Sequence, residues 1–200
     1  MSNANKERLE KWLFSKLLRQ KNRNHKLAYV ALITALVVVA NMFFEFKFMD
    51  VQFSLTIAVS AFAGILLGPL LGFAACFLGD LVGFLYNSGG FAYMPWIGLS
   101  MALTSAFAGI AYNLLENDKG WICFLSGVLV CVLSLFVCTI GINTTAFWLL
   151  YSPTTPYGTY LVARLFAKGQ IFNCLFNYVF ILVGAPILKK LLYKSNCVEK

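Results

Sequence analysis

Six long apolar stretches, separated by polar or turn-forming breaks, constrain this fold more than any other feature of the chain. They cover residues 27–44, 53–67, 70–86, 96–115, 121–150 and 160–192. A helix crosses a bilayer with about 20 residues, within a range of about 17–25. Because 60% of the residues are hydrophobic and 12% are charged, a soluble core could not absorb this much apolar surface. The sequence therefore predicts an all-α membrane protein with six transmembrane helices.

The breaks between the stretches predict the domain organisation. Gly68 and Pro69 leave room only for a tight turn between the second and third stretches, which predicts an antiparallel helical hairpin. We predict a basic N-terminal tail at residues 1–25, a membrane domain at 26–193 and a C-terminal tail at 194–200.

The distribution of Lys and Arg predicts the orientation in the membrane. Eight of the sixteen precede the first stretch, and cytoplasmic segments retain positive charge. Because six spans place both ends on one side, we predict that both termini are cytoplasmic. This accounts for most of the net charge of +8 and argues against nucleic acid as a partner. Leu9, Leu13 and Leu17 recur at helical spacing, which fits either a helix on the bilayer surface or a poorly ordered leader.

Catalytic and metal-binding patterns are missing from the sequence. The six Cys residues form no C-x-x-C pair, and the single His25 lies in the tail, so we predict no metal site and no cofactor. An intramembrane enzyme needs positioned acid and base groups, whereas Asp80 is the sole acid well within a stretch. A stand-alone carrier usually shows an internal repeat, which this sequence lacks. A membrane scaffold stays open as another alternative.

Small residues recur at helical spacing in three stretches, and such residues let membrane helices approach closely. The third stretch carries one set, which is Gly72, Cys76, Gly79 and Gly83. The fourth stretch carries another, which is Gly98, Ala102, Ser105 and Gly109. The two sets predict that these stretches pack together. Ala28, Ala31 and Ala35 form a similar pattern in the first stretch. They fit either internal packing or docking of another membrane subunit.

Charged residues in apolar stretches need compensation, because an unpaired charge is costly in the bilayer. Asp80 fits either a contact with donor groups of a substrate or a structural partner. Arg164 and Lys168, four residues apart at the start of the sixth stretch, fit either an anion-binding site or snorkelling toward the headgroups.

Helical geometry limits which side chains of the sixth stretch can share a cavity. On a regular helix Lys168 lies about 40° from Arg164, whereas Gln170, Asn173 and Asn177 lie about 180–240° away. Unless the helix is irregular, we therefore expect that either the cations or the amides contact a ligand, or that the ligand is approached near the helix end. Of the two sets we favour the cations.

Two further segments carry candidate binding residues. Asn143 interrupts the fifth stretch shortly before Trp148, and its amide suits either the edge of a heterocycle or a neighbouring helix. The loop between the third and fourth stretches contains two glycines and several aromatic residues, a composition that suits a lid able to stack on a ring. Aromatic residues also gather at membrane interfaces without any ligand. The candidates in this loop are Gly89, Gly90, Tyr93 and Trp96.

Taken in order, several motifs resemble the substrate-binding S components of energy-coupling factor (ECF) vitamin transporters, in particular the folate group. The motifs are Gly79-Asp80-Leu81-Val82-Gly83, Ser88-Gly89, Pro95 followed by Leu99-Ser100, Ala31-x-x-x-Ala35, Ile142-Asn143-Thr144 with Trp148-Leu149, and Arg164-x-x-x-Lys168. Two features depart from that group. Asn41-Met42-Phe43-Phe44 stands where the group often has Ser-Arg-Phe, and Gln170, Asn173 and Asn177 replace a more apolar stretch.

The resemblance implies a vitamin-binding subunit, without an ATPase of its own, in a bacterial plasma membrane. It implies a T component and two ATP-binding subunits as partners, with the T component docking on the alanines of the first stretch. A folate is the preferred ligand, with its carboxylates on Arg164 and Lys168, its pterin against the aromatic loop and its ring donors on Asp80 or Asn143. Pantothenate, hydroxymethylpyrimidine or a queuosine-type base are alternative ligands.

Overall fold

The computed structural model describes residues 10, 14–19, 22–43, 45–48, 51–86, 92–114 and 120–198. Its regular elements follow in chain order. They are α1 (Lys16–Arg19), α2 (Arg23–Phe43), β1 (Glu45–Phe48), β2 (Val51–Ser54), α3 (Thr56–Leu67), α4 (Pro69–Tyr86), α5 (Pro95–Leu114), α6 (Gly120–Leu133), a first π-helical segment (Ser134–Thr144), α7 (Thr145–Tyr151), α8 (Tyr157–Val162), a second π-helical segment (Ala163–Ala167) and α9 (Gln170–Val198).

Five helices of the described part are long and apolar enough to cross a membrane. They are Arg23–Phe43, Pro69–Tyr86, Pro95–Tyr112, Gly120–Tyr151 and Gln170–Lys190. The remaining stretch forms α3, which has 12 residues and is about 18 Å long at 1.5 Å per residue. The helical membrane bundle is confirmed, and in the described part of the chain its membrane-length helices are joined by the shorter apolar helix α3.

A two-stranded antiparallel hairpin precedes α3 and was not predicted. Glu45 pairs with Ser54, and Phe48 pairs with Val51. Because Phe53 and Ser54 belong to β2, the helix of the second stretch begins at Thr56 instead of residue 53. The end of the bundle that carries this hairpin also contains a cavity, so we call it the cavity end.

The predicted tight turn joins α3 to α4 at the opposite end. Gly68 adopts a φ of 98°, a conformation that glycine tolerates best, and its N–H donates to Gly64 O at 2.9 Å. Pro69 then starts α4, a position where its missing N–H costs nothing. Ser15 N donates to Leu67 O at 3.1 Å, so Ser15 lies against this turn.

Glycines bring α3, α4 and α5 into backbone contact. A Cβ on Gly64 would clash with Ser105 O, and one on Gly109 would lie 2.6 Å from Pro69 N. The predicted packing of α4 on α5 holds at Gly72, whose Cβ would lie 2.5 Å from Ser105 Oγ. The later small residues of α4 face α2 instead. Gly79 packs against Val37, and Gly83 packs against Asn41.

The sixth stretch is not one regular helix. The second π-helical segment ends at Ala167, Gly169 has a φ of 67°, and α9 begins at Gln170. The prediction of one helix over residues 160–192 is therefore wrong, because the left-handed backbone at Gly169 interrupts the helical ladder. This break changes which side chains share a face.

Candidate binding site

A cavity of about 410 Å³ lies at the cavity end of the bundle. Its walls come from α2, β2, α3, α4, α5, the first π-helical segment, α7, the second π-helical segment and α9. Cavities that hold small organic ligands typically measure about 300–1,000 Å³. The space therefore suits a vitamin-sized molecule.

Asp80 lies in the wall on α4 and is held by a neighbouring tyrosine. Tyr93 Oη donates to Asp80 Oδ2 at 3.1 Å, and the Tyr93 ring packs on Phe84 with centroids 5.1 Å apart. Burial, together with the charge and hydrogen bond of the nearby Asp80 carboxylate, raises the pKa of Tyr93 to about 12. Tyr93 thus stays a neutral donor at physiological pH.

Gly98 on α5 makes room for this pair. A Cβ at residue 98 would lie 2.6 Å from Asp80 Oδ2 and 2.9 Å from Tyr93 Oη. The absence of a side chain at Gly98 therefore sets the position of the Asp80 carboxylate.

Arg164 contributes the positive charge of the wall. Its guanidinium lies 4.1 Å from the centroid of the Phe147 ring, a cation–π contact that holds a cation in apolar surroundings. Trp96 packs edge-on against Phe147 with centroids 6.0 Å apart. Among the residues that the structure describes, the buried Arg164 Nε has no hydrogen-bond partner. The guanidinium can therefore bind an anion.

Lys168 lies outside the cavity wall. It is exposed, and its Nζ lies 6.0 Å from the centroid of the Tyr160 ring. By contrast Gln170 borders the same cavity as Arg164. The expectation that these two residues face opposite ways holds only for a regular helix, and the break at Gly169 removes that condition.

Hydroxyl and thiol groups of α5 and of the first π-helical segment form another part of the wall. Ser100 Oγ lies 2.9 Å from Asn143 Oδ1 and 2.9 Å from Trp96 O. A hydroxyl carries one proton, so it can donate to only one of the two at a time, but the contact fixes the Asn143 amide in the wall. Thr104, Ser134 and Cys138 continue this polar surface.

Asn173 and Asn177 are buried and bind the backbone. Asn173 Oδ1 accepts from Ser54 N at 2.9 Å. Asn177 Oδ1 accepts from Ala58 N at 2.9 Å, and its Nδ2 donates to Ser54 O at 2.6 Å. The two amides therefore clamp the junction of β2 and α3 to α9, and this junction carries the wall residues Ser54 and Thr56.

Trp148 is not among the described residues that line the cavity. Trp148 Nε1 donates to Thr155 O at 2.7 Å, and its ring packs edge-on against Tyr157. Gly89 and Gly90 lie outside the described residues. The structure thus brings Asp80, Asn143 and Arg164 around one cavity, with Tyr93 and Trp96 touching wall residues.

Asn41 is a wall residue that the sequence prediction did not include among the binding residues. The position of Asn41 in the sequence could have identified it. It is a polar residue at the end of the first apolar stretch, where the sequence departs from the folate group. On the same helix Ile33, Val37 and Ala40 are buried. Ala28, Ala31 and Ala35 are exposed.

A bundle of apolar helices that encloses a partly polar cavity near one end defines a membrane protein that binds a small molecule. Residues 21–194 match the family described as ECF-type riboflavin transporter, S component, and the chain belongs to this family. The predicted resemblance to ECF S components is confirmed. The protein is accordingly a substrate-binding subunit of a transporter.

Solved structures support the same fold. The chain is similar to the structure titled "Crystal structure of FolT bound with folic acid", with a TM-score of 0.61 and 21% sequence identity. The match covers 81% of this chain and 90% of that chain. No protein among curated sequences matches the chain.

Proposed function

We propose that this protein captures a folate at the outer face of a bacterial plasma membrane for ATP-driven import. The observation that carries the proposal is the cavity with Arg164 in its wall and its Nε without a protein acceptor among the described residues. The charge distribution along the chain supports cytoplasmic termini, which would turn the cavity end outward.

A folate offers a carboxylate group that fits Arg164. Arg presents a planar fork of donors that matches a carboxylate in a bidentate geometry. Lys168 is exposed one turn beyond Arg164, so its charge suits attraction of the anion toward the cavity. Such long-range attraction weakens with ionic strength.

We propose that the pterin ring of a folate contacts the polar residues of the wall. Asp80 can accept from ring donors, and Asn143 can donate or accept at a heterocycle edge. We propose that the loop with Gly89 and Gly90 covers the ligand, with Tyr93 and Trp96 near the ring. In this proposal Trp148 supports the site through its contact with Tyr157.

Riboflavin is a second candidate, favoured by the description of the matching family. The neutral amides and hydroxyls of the wall suit its ring system. Riboflavin carries no carboxylate, so its binding would depend less on Arg164 than folate binding does.

Transport requires partners that supply energy. We propose that a T component and two ATP-binding subunits complete the transporter, and that the T component docks on Ala28, Ala31 and Ala35. The exposure of these three alanines on α2 supports docking over internal packing.

The test combines ligand identification with one substitution. The purified protein, prepared from cells grown in rich medium, is denatured and the released small molecules are analysed. Folic acid and riboflavin are then titrated against the wild type and Arg164→Gln. We expect Arg164→Gln to weaken folic acid binding about 10- to 100-fold, because a hydrogen bond to a charged group is lost, with a small effect on riboflavin.

Arg23→Gln is the matched control, because Arg23 is exposed at the start of α2. Equal folic acid affinity in the wild type and Arg164→Gln would contradict the carboxylate assignment. Release of pantothenate, hydroxymethylpyrimidine or a queuosine-type base would identify a different ligand. Uptake by the chain alone without ATP would indicate a stand-alone carrier instead.

A further inference from the structure

Asn41 borders the cavity near the end of α2, and its amide is unusual among the polar groups of the wall. Both Oδ1 and Nδ2 are buried, and among the described residues neither has a hydrogen-bond partner. Buried amide groups in native proteins almost always have partners, so an unsatisfied pair requires an explanation. A ligand in the adjacent cavity could satisfy both atoms.

The backbone around Asn41 is closely packed, which gives its side chain a defined position. Gly79 and Gly83 of α4 leave space for Val37 and Asn41 of α2. A Cβ on Gly83 would lie 3.3 Å from Asn41 Cβ. The close approach of these helices places the amide against the cavity, on the same side as Asp80, which lies one turn before Gly83.

The chemistry of an amide limits what it can recognise. One side-chain amide has an acceptor and a donor side by side, and it pairs in a bidentate manner with a neighbouring donor and acceptor, as Asn and Gln do with the edge of adenine. In a heterocycle, the matching edge is a lactam, in which a ring N–H stands beside a carbonyl group. Folates and flavins both carry such an edge.

We propose that Asn41 is a specificity-determining residue that binds the lactam edge of the heterocyclic ligand through both atoms of its amide. The proposal rests on the proposed function, because it requires a heterocyclic vitamin in the cavity. It applies to folate and riboflavin alike, and so does not depend on which of the two is bound.

The experiment compares Asn41→Leu with the wild type, using two forms of each probe. The probes are folic acid and riboflavin, together with analogues that carry a methyl group on the ring nitrogen of the lactam. In the wild type, methylation is expected to weaken binding about 10- to 100-fold, because two hydrogen bonds are lost. Asn41→Leu is expected to bind the parent compound with an affinity reduced by a similar factor relative to the wild type. Methylation of the compound is then expected to have little further effect on its affinity for this variant.

Thr34→Val is the matched control on the same helix. Thr34 Oγ1 donates to Val30 O within α2, and the residue does not belong to the cavity wall. This variant should retain the wild-type discrimination between parent and methylated probes. Because the ratio of the two affinities is measured within each variant, a change in folded fraction cancels. Asn41→Ala provides a second, smaller substitution if Asn41→Leu folds poorly.

The outcomes separate the two proposals. If the wild type binds a parent probe and Asn41→Leu discriminates against the methylated form as strongly as the wild type does, the role of Asn41 is refuted while the proposed function stands. That result would fit an amide satisfied by water alone. If the wild type binds neither probe, both the proposed function and the role of Asn41 fail.

Discussion

At the scale of single residues, Gly98 controls the position of the Asp80 carboxylate. Gly98→Ala would place a methyl group 2.6 Å from Asp80 Oδ2, so the carboxylate or α5 must shift. Because a displaced carboxylate would lose its hydrogen bond to the ligand, and such a bond to a charged group contributes about 1.5–3 kcal/mol, we expect ligand affinity to fall about tenfold or more. Titration of the ligand against the purified variant measures the change.

Gly120→Ala is the control for this prediction. Apart from its own chain neighbours and the adjacent backbone of its helix, no described atom lies within 4 Å of the position that a Cβ would take at Gly120. We expect this variant to bind the ligand like the wild type. Equal affinities for Gly98→Ala and Gly120→Ala would show that the Asp80 position does not matter for binding.

Tyr93 makes a second prediction at this scale, through its titration. Its pKa in the folded protein is about 12, above the ordinary value of 10, so folding favours the neutral phenol. The corresponding stabilisation is present below pH 10 and is lost as the pH rises toward 12. The difference in tyrosinate absorbance between the wild type and Tyr93→Phe should show a titration centred near pH 12. A midpoint near 10 would contradict burial against Asp80.

At the scale of elements, the amides of α9 determine where α3 begins. Asn177 is fully buried and binds both Ala58 N and Ser54 O. Asn177→Leu would leave two buried backbone groups unsatisfied, at a cost of about 1–3 kcal/mol for each group. We expect a clear decrease in thermal stability in detergent. Ligand affinity should also fall, because Ser54 and Thr56 lie in the cavity wall.

Asn24→Leu tests whether that loss is specific. Asn24 is exposed near the start of α2, so its replacement should change stability by less than about 0.5 kcal/mol. Thermal unfolding of the two variants, followed under the same conditions, gives the comparison. Similar melting temperatures for the two variants would show that the clamp contributes little.

At the scale of the whole molecule, α2 borders the cavity and also carries the alanines that we propose as a docking surface. Asn41 borders the cavity, whereas Ala31 is exposed on the same helix. Ala31→Trp should leave ligand affinity unchanged and abolish docking of the T component, because a large side chain prevents close helix contact. Binding is measured on the purified protein, and docking by copurification of the transporter subunits.

Leu36→Trp is the matched control, since Leu36 is also exposed but lies about 140° around the helix from Ala31. It should support normal assembly. Loss of the complex in both variants would indicate that any added bulk on α2 is harmful. Loss in neither would place the docking surface elsewhere.

Local features of the sequence determined the membrane class, the turn at Gly68 and much of the candidate wall. Hydrophobicity and helix breakers act over a few neighbouring residues, so they can be read directly. Asp80, Asn143 and Arg164 were identifiable because polar side chains in apolar stretches need compensation. The motifs of the chain also carried the resemblance to ECF S components.

Only the tertiary structure decided which of these residues meet. The break at Gly169 places Arg164 and Gln170 on one cavity, against the angles of a regular helix. The hydrogen bonds of Asn173 and Asn177 join them to residues 119 or more positions away, and Asn41 reaches the wall because Gly83 admits α2. Such contacts depend on the packing of several helices at once, so no local pattern in the sequence specifies them.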